Sequence, residues 1–102
     1  MADCLLLTRE MLKDPIDIGV PDEPLDFSRA RAIADRCARE LGPEPMLLAW
    51  YDRGAGTFSP QVTCCGDAKP AWLIYAESRG GDLVIDINNE AYVFVYRRDL
   101  SD

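Results

Sequence analysis

Cys64 and Cys65 are the residues of this chain whose type and spacing most invite chemistry. They lie just upstream of a segment that opens a helix, with Lys69 nearby. A helix N-terminus and a cation both favour the thiolate form. Two features weigh against them. Asp67 places a negative charge between, and adjacent cysteines on an extended segment point to opposite faces, so one metal ion is hard to reach with both. A tetrahedral four-thiolate site requires Cys4 and Cys37 to converge there as well. The Cys-x-x-Cys spacing of dithiol oxidoreductases is absent. Structural cysteines are therefore favoured over a reactive or redox thiol, with a metal last; neither metal nor cofactor is expected.

A second group is aromatic. Trp50, Trp72 and Tyr75, with Tyr51, Tyr92, Phe94 and Tyr96, have the make-up of a ligand pocket between a sheet and a helix. In a domain this small, aromatics on strands and on a buried helix are more often the core itself. Core is the favoured reading, with Trp50, Trp72 and Tyr75 kept as candidates for ligand binding. Asp82 and Asp86 share a strand face with Val84, but their spacing along a strand separates them by about 13 Å. That exceeds what a hydrolytic acid pair uses, and both are expected to be solvated.

The chain holds no histidine. Ser-His-Asp and Cys-His arrangements are therefore excluded, as are zinc sites containing His. Acid–base work would fall to carboxylates, Lys, Tyr or Cys. Gly54-Ala55-Gly56 is not a nucleotide loop, because Ser59 stands where the next glycine belongs and no helix follows directly. A net charge of −7 disfavours nucleic acid, whose binders neutralise phosphates with Lys and Arg. It disfavours an anionic membrane surface for the same reason. No apolar run approaches the roughly 20 residues that span a bilayer. The N-terminus lacks a positive region and is unlike a signal peptide. With four cysteines, a reducing cytoplasm is the expected compartment.

The elements that must position these residues follow from periodicity. Ile16, Ile18 and Val20 alternate with Asp17 and Gly19, which predicts a strand. Phe27, Ala30, Ile33, Ala34, Cys37, Ala38 and Leu41 recur at helical spacing, with Asp26 placed to cap the start and Gly42-Pro43 to stop it. The opposite face spaces Arg31 with Asp35, Asp35 with Arg39, and Arg36 with Glu40 for ion pairing. A solvated, ion-paired surface is preferred there to an anion-binding patch, and Cys37 on the apolar stripe reads as an inert small hydrophobe. Met46 to Tyr51 reads as a central strand and Thr57 to Thr63 as an edge strand interrupted by Pro60. Trp72 to Arg79 is a short helix, apolar nearly all round, stopped by Gly80-Gly81.

A β-hairpin closes the chain. Leu83, Ile85 and Ile87 alternate in one strand, Tyr92, Phe94 and Tyr96 in the other. The tip is either Asn88-Asn89 or Asn89-Glu90, since Asn tolerates the positive φ that tight hairpin turns demand. Both tips put those six large side chains on one face, and a one-residue slip would separate them. The fold class is α+β, with elements in the order β-α-β-β-α-β-β. A mainly antiparallel sheet of four or five strands with two helices packed on it is expected. Residues 16–102 form the single domain; residues 1–15 read as an N-terminal extension whose order is open.

The segments Met46-Leu47-Leu48-Ala49-Trp50-Tyr51-Asp52-Arg53, Cys64-Cys65-Gly66, Lys69-Pro70-Ala71-Trp72 and Tyr75-Ala76-Glu77-Ser78-Arg79-Gly80-Gly81-Asp82-Leu83, with the hairpin after them, resemble a small family of uncharacterised prokaryotic proteins, a domain of unknown function. The resemblance covers about Pro24 to Arg97 and implies one compact domain. It implies no activity, cofactor or catalytic residue. Two functions stay open. A non-catalytic interaction or scaffold domain, expected to self-associate as a homo-oligomer, is preferred because apolar faces exceed what one core needs: Val84, Val93 and Val95 on the hairpin's second face, and the all-round apolar helix. The alternative is a thiol-dependent or redox-sensing activity at Cys64 and Cys65. The balance leans away from an enzyme.

Overall fold

The computed structural model describes residues 11–12, 14–20, 25–42, 44–59 and 71–97. Seven elements follow one another: β1 (Ile16–Ile18), α1 (Phe27–Leu41), β2 (Met46–Asp52), β3 (Thr57–Ser59), α2 (Ala71–Ser78), β4 (Leu83–Ile87) and β5 (Tyr92–Arg97). The five strands form one sheet in the order β1-β4-β5-β2-β3. β1 runs parallel to β4, while the pairs β4–β5, β5–β2 and β2–β3 are antiparallel. The α+β class, the element order and the five strands agree with the periodicity. No helix among the described residues is long and apolar enough to cross a membrane.

Helix α1 begins where a side chain satisfies an orphan amide: Asp26 Oδ1 accepts the Arg29 N–H at 2.8 Å. Its core face is a stripe of Ala30, Ala34 and Ala38, all fully buried. Their small side chains let the helix lie close against Leu83, Ile85, Ile87, Phe94 and Tyr96. Phe27 tilts against Trp50, ring centres 4.5 Å apart, and against Phe94 at 5.7 Å. Leu41, expected on this face, is 45% exposed at the last turn.

The second face of the sheet is covered as well, by α2. Trp72, Leu73 and Ala76 pack there with Leu12, Ala49, Tyr51, Val84, Val93 and Val95. The two helices thus lie on opposite faces, and the valines expected to be surplus apolar surface are core. The signal was ambiguous because an all-round apolar helix shows no preferred side.

The hairpin adopts the register of an Asn89-Glu90 tip, with Ile87 opposite Tyr92. The reversal is wider than a two-residue link. Asn88, Asn89 and Glu90 all take positive φ, at 54°, 55° and 64°, and the Ala91 N–H bonds to both Ile87 O and Asn88 O, at 3.1 and 3.3 Å. Asn88 is drawn into this turn by the neighbouring strand. Its N–H donates to Ile18 O at 2.9 Å and its Oδ1 accepts the Val20 N–H at 2.7 Å. A left-handed glutamate costs about 1–2 kcal/mol. Bonds from the Glu90 N–H to Asp86 Oδ1 at 2.5 Å and from Arg53 Nε to Glu90 O at 3.1 Å offset it.

Helix α2 ends in a Schellman motif. Gly80, at φ 88°, donates to Glu77 O at 3.2 Å and Gly81 to Ala76 O at 2.9 Å. Gly81 is also a close approach: a Cβ there would meet Val95 Cγ1 at 2.8 Å and Ala76 O at 2.9 Å. Gly81→Ala is expected to lower stability by about 1–3 kcal/mol through overpacking, read from urea denaturation midpoints. A neutral result would mean that α2 does not seat on β5 as described.

Candidate functional site

The tight turn after α2 builds a cleft. Because the chain reverses at Gly80-Gly81, Glu77 on α2 and Asp82 just before β4 come to the same place, and Asp14 reaches it from the approach to β1. With Leu73, Gly81, Val84 and Val95 they line a cavity of about 310 Å³. Its floor is apolar, from Leu73, Val84 and Val95, which belong to the core beneath α2. The side chains of Asp14, Glu77 and Asp82 lie at exposed positions. An apolar floor with a carboxylate rim suits a ligand that has an aliphatic stem and a cationic head. Among the described residues no group of three or more His, Cys, Asp or Glu has metal-binding geometry.

The residues singled out in the sequence do not converge on this cleft. Cys64 and Cys65 lie outside the described residues. Trp50 is half-buried on the α1 side of the sheet. Trp72 is 2% exposed on the other side, stacked on Tyr51 with ring centres 5.4 Å apart and planes within 9°. Tyr75 is half-buried, and the Arg79 guanidinium lies over its ring at 4.9 Å. The three aromatics therefore line no common pocket. Cys37 is half-buried on α1, where burial first and the Glu40 charge second raise its thiol pKa, opposite to what a reactive thiol needs.

On α1, one of the three spaced charge pairs closes: Arg31 Nε lies 3.7 Å from Asp35 Oδ2. Asp35 Oδ1 instead takes the hydroxyl of the buried Tyr96. Burial and that carboxylate raise the phenol pKa far above its ordinary value. Arg31, Asp35 and Arg39 flank a small hollow of about 140 Å³ with Pro45, Leu47 and Tyr96.

Asp86 corrects the expectation of a solvated carboxylate. It is 1% exposed, on the inner strand β4 between β1 and β5. Its pKa is raised to about 7, first by burial, then by the Glu90 carboxyl bonded to it, with Asp17 adding repulsion. Sequence reasoning missed Asp86 because a strand covered on both sides carries no alternation to mark the buried polar residue. It missed the cleft because Asp14, Glu77 and Asp82 meet only through the fold.

Comparison with known proteins agrees with this architecture. A family model described as a domain of unknown function (DUF5619) matches residues 13–96. An uncharacterized protein of Archaeoglobus fulgidus is 32% identical over 83 residues, spanning 81% of this chain and 87% of that protein. A crystal structure of a protein from Archaeoglobus fulgidus DSM 4304 superposes with a TM-score of 0.74 at 27% identity, covering 89% of this chain and 100% of that one.

Proposed function

The chain belongs to the family of the domain of unknown function DUF5619, and for this member we propose a non-catalytic interaction domain that receives a basic side chain of a protein partner in the acidic cleft. The observation that carries the reading is the cleft itself: about 310 Å³, walled by Leu73, Val84 and Val95 and rimmed by Asp14, Glu77 and Asp82. A lysine lays its methylenes on apolar surface and keeps its ammonium among carboxylates. The net charge of −7 supports the same choice by steering cationic partners inward. A second copy of this acidic chain is a poorer match, and the valines that had suggested self-association lie beneath α2. Ile74, 41% exposed, is the large apolar side chain that α2 leaves outward.

Calorimetric titration with a lysine-rich pentapeptide tests the reading, against the same peptide with its lysines acetylated. Acetylation removes charge and keeps the stem. Glu77→Gln with Asp82→Asn is expected to weaken the charged peptide by roughly 5- to 30-fold, the equivalent of one or two kcal/mol for two partly exposed ion pairs. Added salt should weaken binding in parallel. Equal affinity for both peptides, or no effect of the double substitution, overturns the proposal.

A further inference from the structure

The hollow beside α1 and the acidic cleft lie on opposite faces of the sheet. Arg31, Asp35 and Arg39 stand four apart, so they rise along one face of α1. Side chains on a helix lean toward its N-terminus, which brings Arg39 back toward the level of Asp35. With the acid placed first, Asp35 and Arg39 have the better orientation for an ion pair. It is Arg31 that closes instead, because Asp35 is already committed. Its Oδ1 takes the hydroxyl of Tyr96, a side chain 1% exposed, and its Oδ2 faces Arg31 Nε at 3.7 Å. Arg39 lies within ion-pairing distance of no carboxylate among the described residues. It lines the hollow nevertheless, with Arg31, Asp35, Pro45, Leu47 and Tyr96.

We propose that this hollow binds one small aliphatic carboxylate, which gives Arg39 the anion that Asp35 does not supply. Charge, size and lining each narrow the ligand. Two guanidiniums against one carboxylate leave a single positive charge, which a monoanion matches and a dianion exceeds. A volume of about 140 Å³ holds roughly four or five water-sized groups, enough for a carboxylate on a short stem. Pro45 and Leu47 offer that stem apolar surface. The planar fork of Arg39 presents paired N–H donors that a carboxylate accepts bidentately. Tyr96 acts as a positioning residue: by holding Asp35 Oδ1 it keeps that carboxylate off Arg39. The net charge of −7 opposes any anion at long range, but physiological salt screens it beyond about 8 Å. A free acid in solution and an acidic side chain of a protein partner present the same group.

Amide shift titration with propionate at constant ionic strength tests the proposal, with propionamide as the uncharged match and inorganic phosphate as the competing anion. Propionate should saturate shifts at Arg39, Leu47 and Tyr96 with a Kd on the order of millimolar, and propionamide should leave them in place. Arg39→Gln should weaken propionate by roughly 3- to 10-fold, between the values of an exposed ion pair and of a charge-assisted hydrogen bond. Arg36→Gln, on the same helix but outside the hollow, should leave the affinity unchanged. A blocked peptide with one glutamate among alanines separates the two sources. Binding tighter than propionate assigns the hollow to a partner's side chain, and weaker binding assigns it to the free acid. No saturation, equal shifts with propionamide, tighter binding of phosphate, or an unchanged affinity in Arg39→Gln overturns the proposal.

Discussion

Truncating Trp72 to alanine is expected to cost about 3–5 kcal/mol, the range for a fully buried aromatic. The indole is 2% exposed and lies flat on Tyr51, 5.4 Å between ring centres. With Leu73 and Ala76 it is how α2 holds Ala49, Val84, Val93 and Val95 out of water. A domain of this size has about 5–15 kcal/mol in all, so the variant should unfold at a much lower urea concentration. Tyr75→Ala is the control. That ring is half-buried and meets Arg79 at the surface, so its loss should cost about 1 kcal/mol or less. Equal losses for the two variants would mean that α2 is not docked on the second face.

Asp86→Asn should do the reverse at neutral pH and stabilise the fold. The wild-type carboxyl is held at about 7 in the folded state, against about 3.9 in an unfolded chain. Between those values the folded state binds the extra proton, so stability is greatest below the unfolded pKa and falls as pH rises toward neutrality. Above the folded pKa both states are ionised and the loss is complete, at about 3–4 kcal/mol for a shift of this size. Asparagine keeps an oxygen for the Glu90 N–H and carries no charge to desolvate. The difference in stability between Asp86→Asn and wild type should therefore grow from near zero below about pH 4 to a few kcal/mol above neutrality. Chemical denaturation at a series of pH values measures it. A variant less stable than wild type above neutrality, or a constant difference, would contradict the account.

What the sequence discloses depends on whether one side of an element is wet. Helix α1 has a wet side, and its bounds, its Asp26 cap and its alanine stripe are all legible in spacing. The hairpin faces are legible for a similar reason, since Leu83, Ile85 and Ile87 had to match Tyr92, Phe94 and Tyr96. Burial on both sides removes the contrast. Val84, Val93 and Val95 then look like spare surface until α2 is placed over them, and Asp86 looks like a solvated residue although it is 1% exposed. The three-residue left-handed turn is hidden for another reason: Asn88 takes its conformation from Ile18 and Val20, some seventy positions away in the chain. The cleft is the least legible feature, because its carboxylates come from three separate segments and no local pattern joins them.

The central claim, that the acidic cleft after α2 is where a partner's basic side chain docks, is tested most directly by mapping amide shifts during titration with the lysine-rich peptide. The largest changes are expected to cluster at Leu73, Glu77, Gly81, Asp82 and Val84 and to disappear when the peptide's lysines are acetylated. Shifts centred instead on Arg31, Asp35 and Arg39 of α1, or spread evenly over the acidic surface, would contradict it.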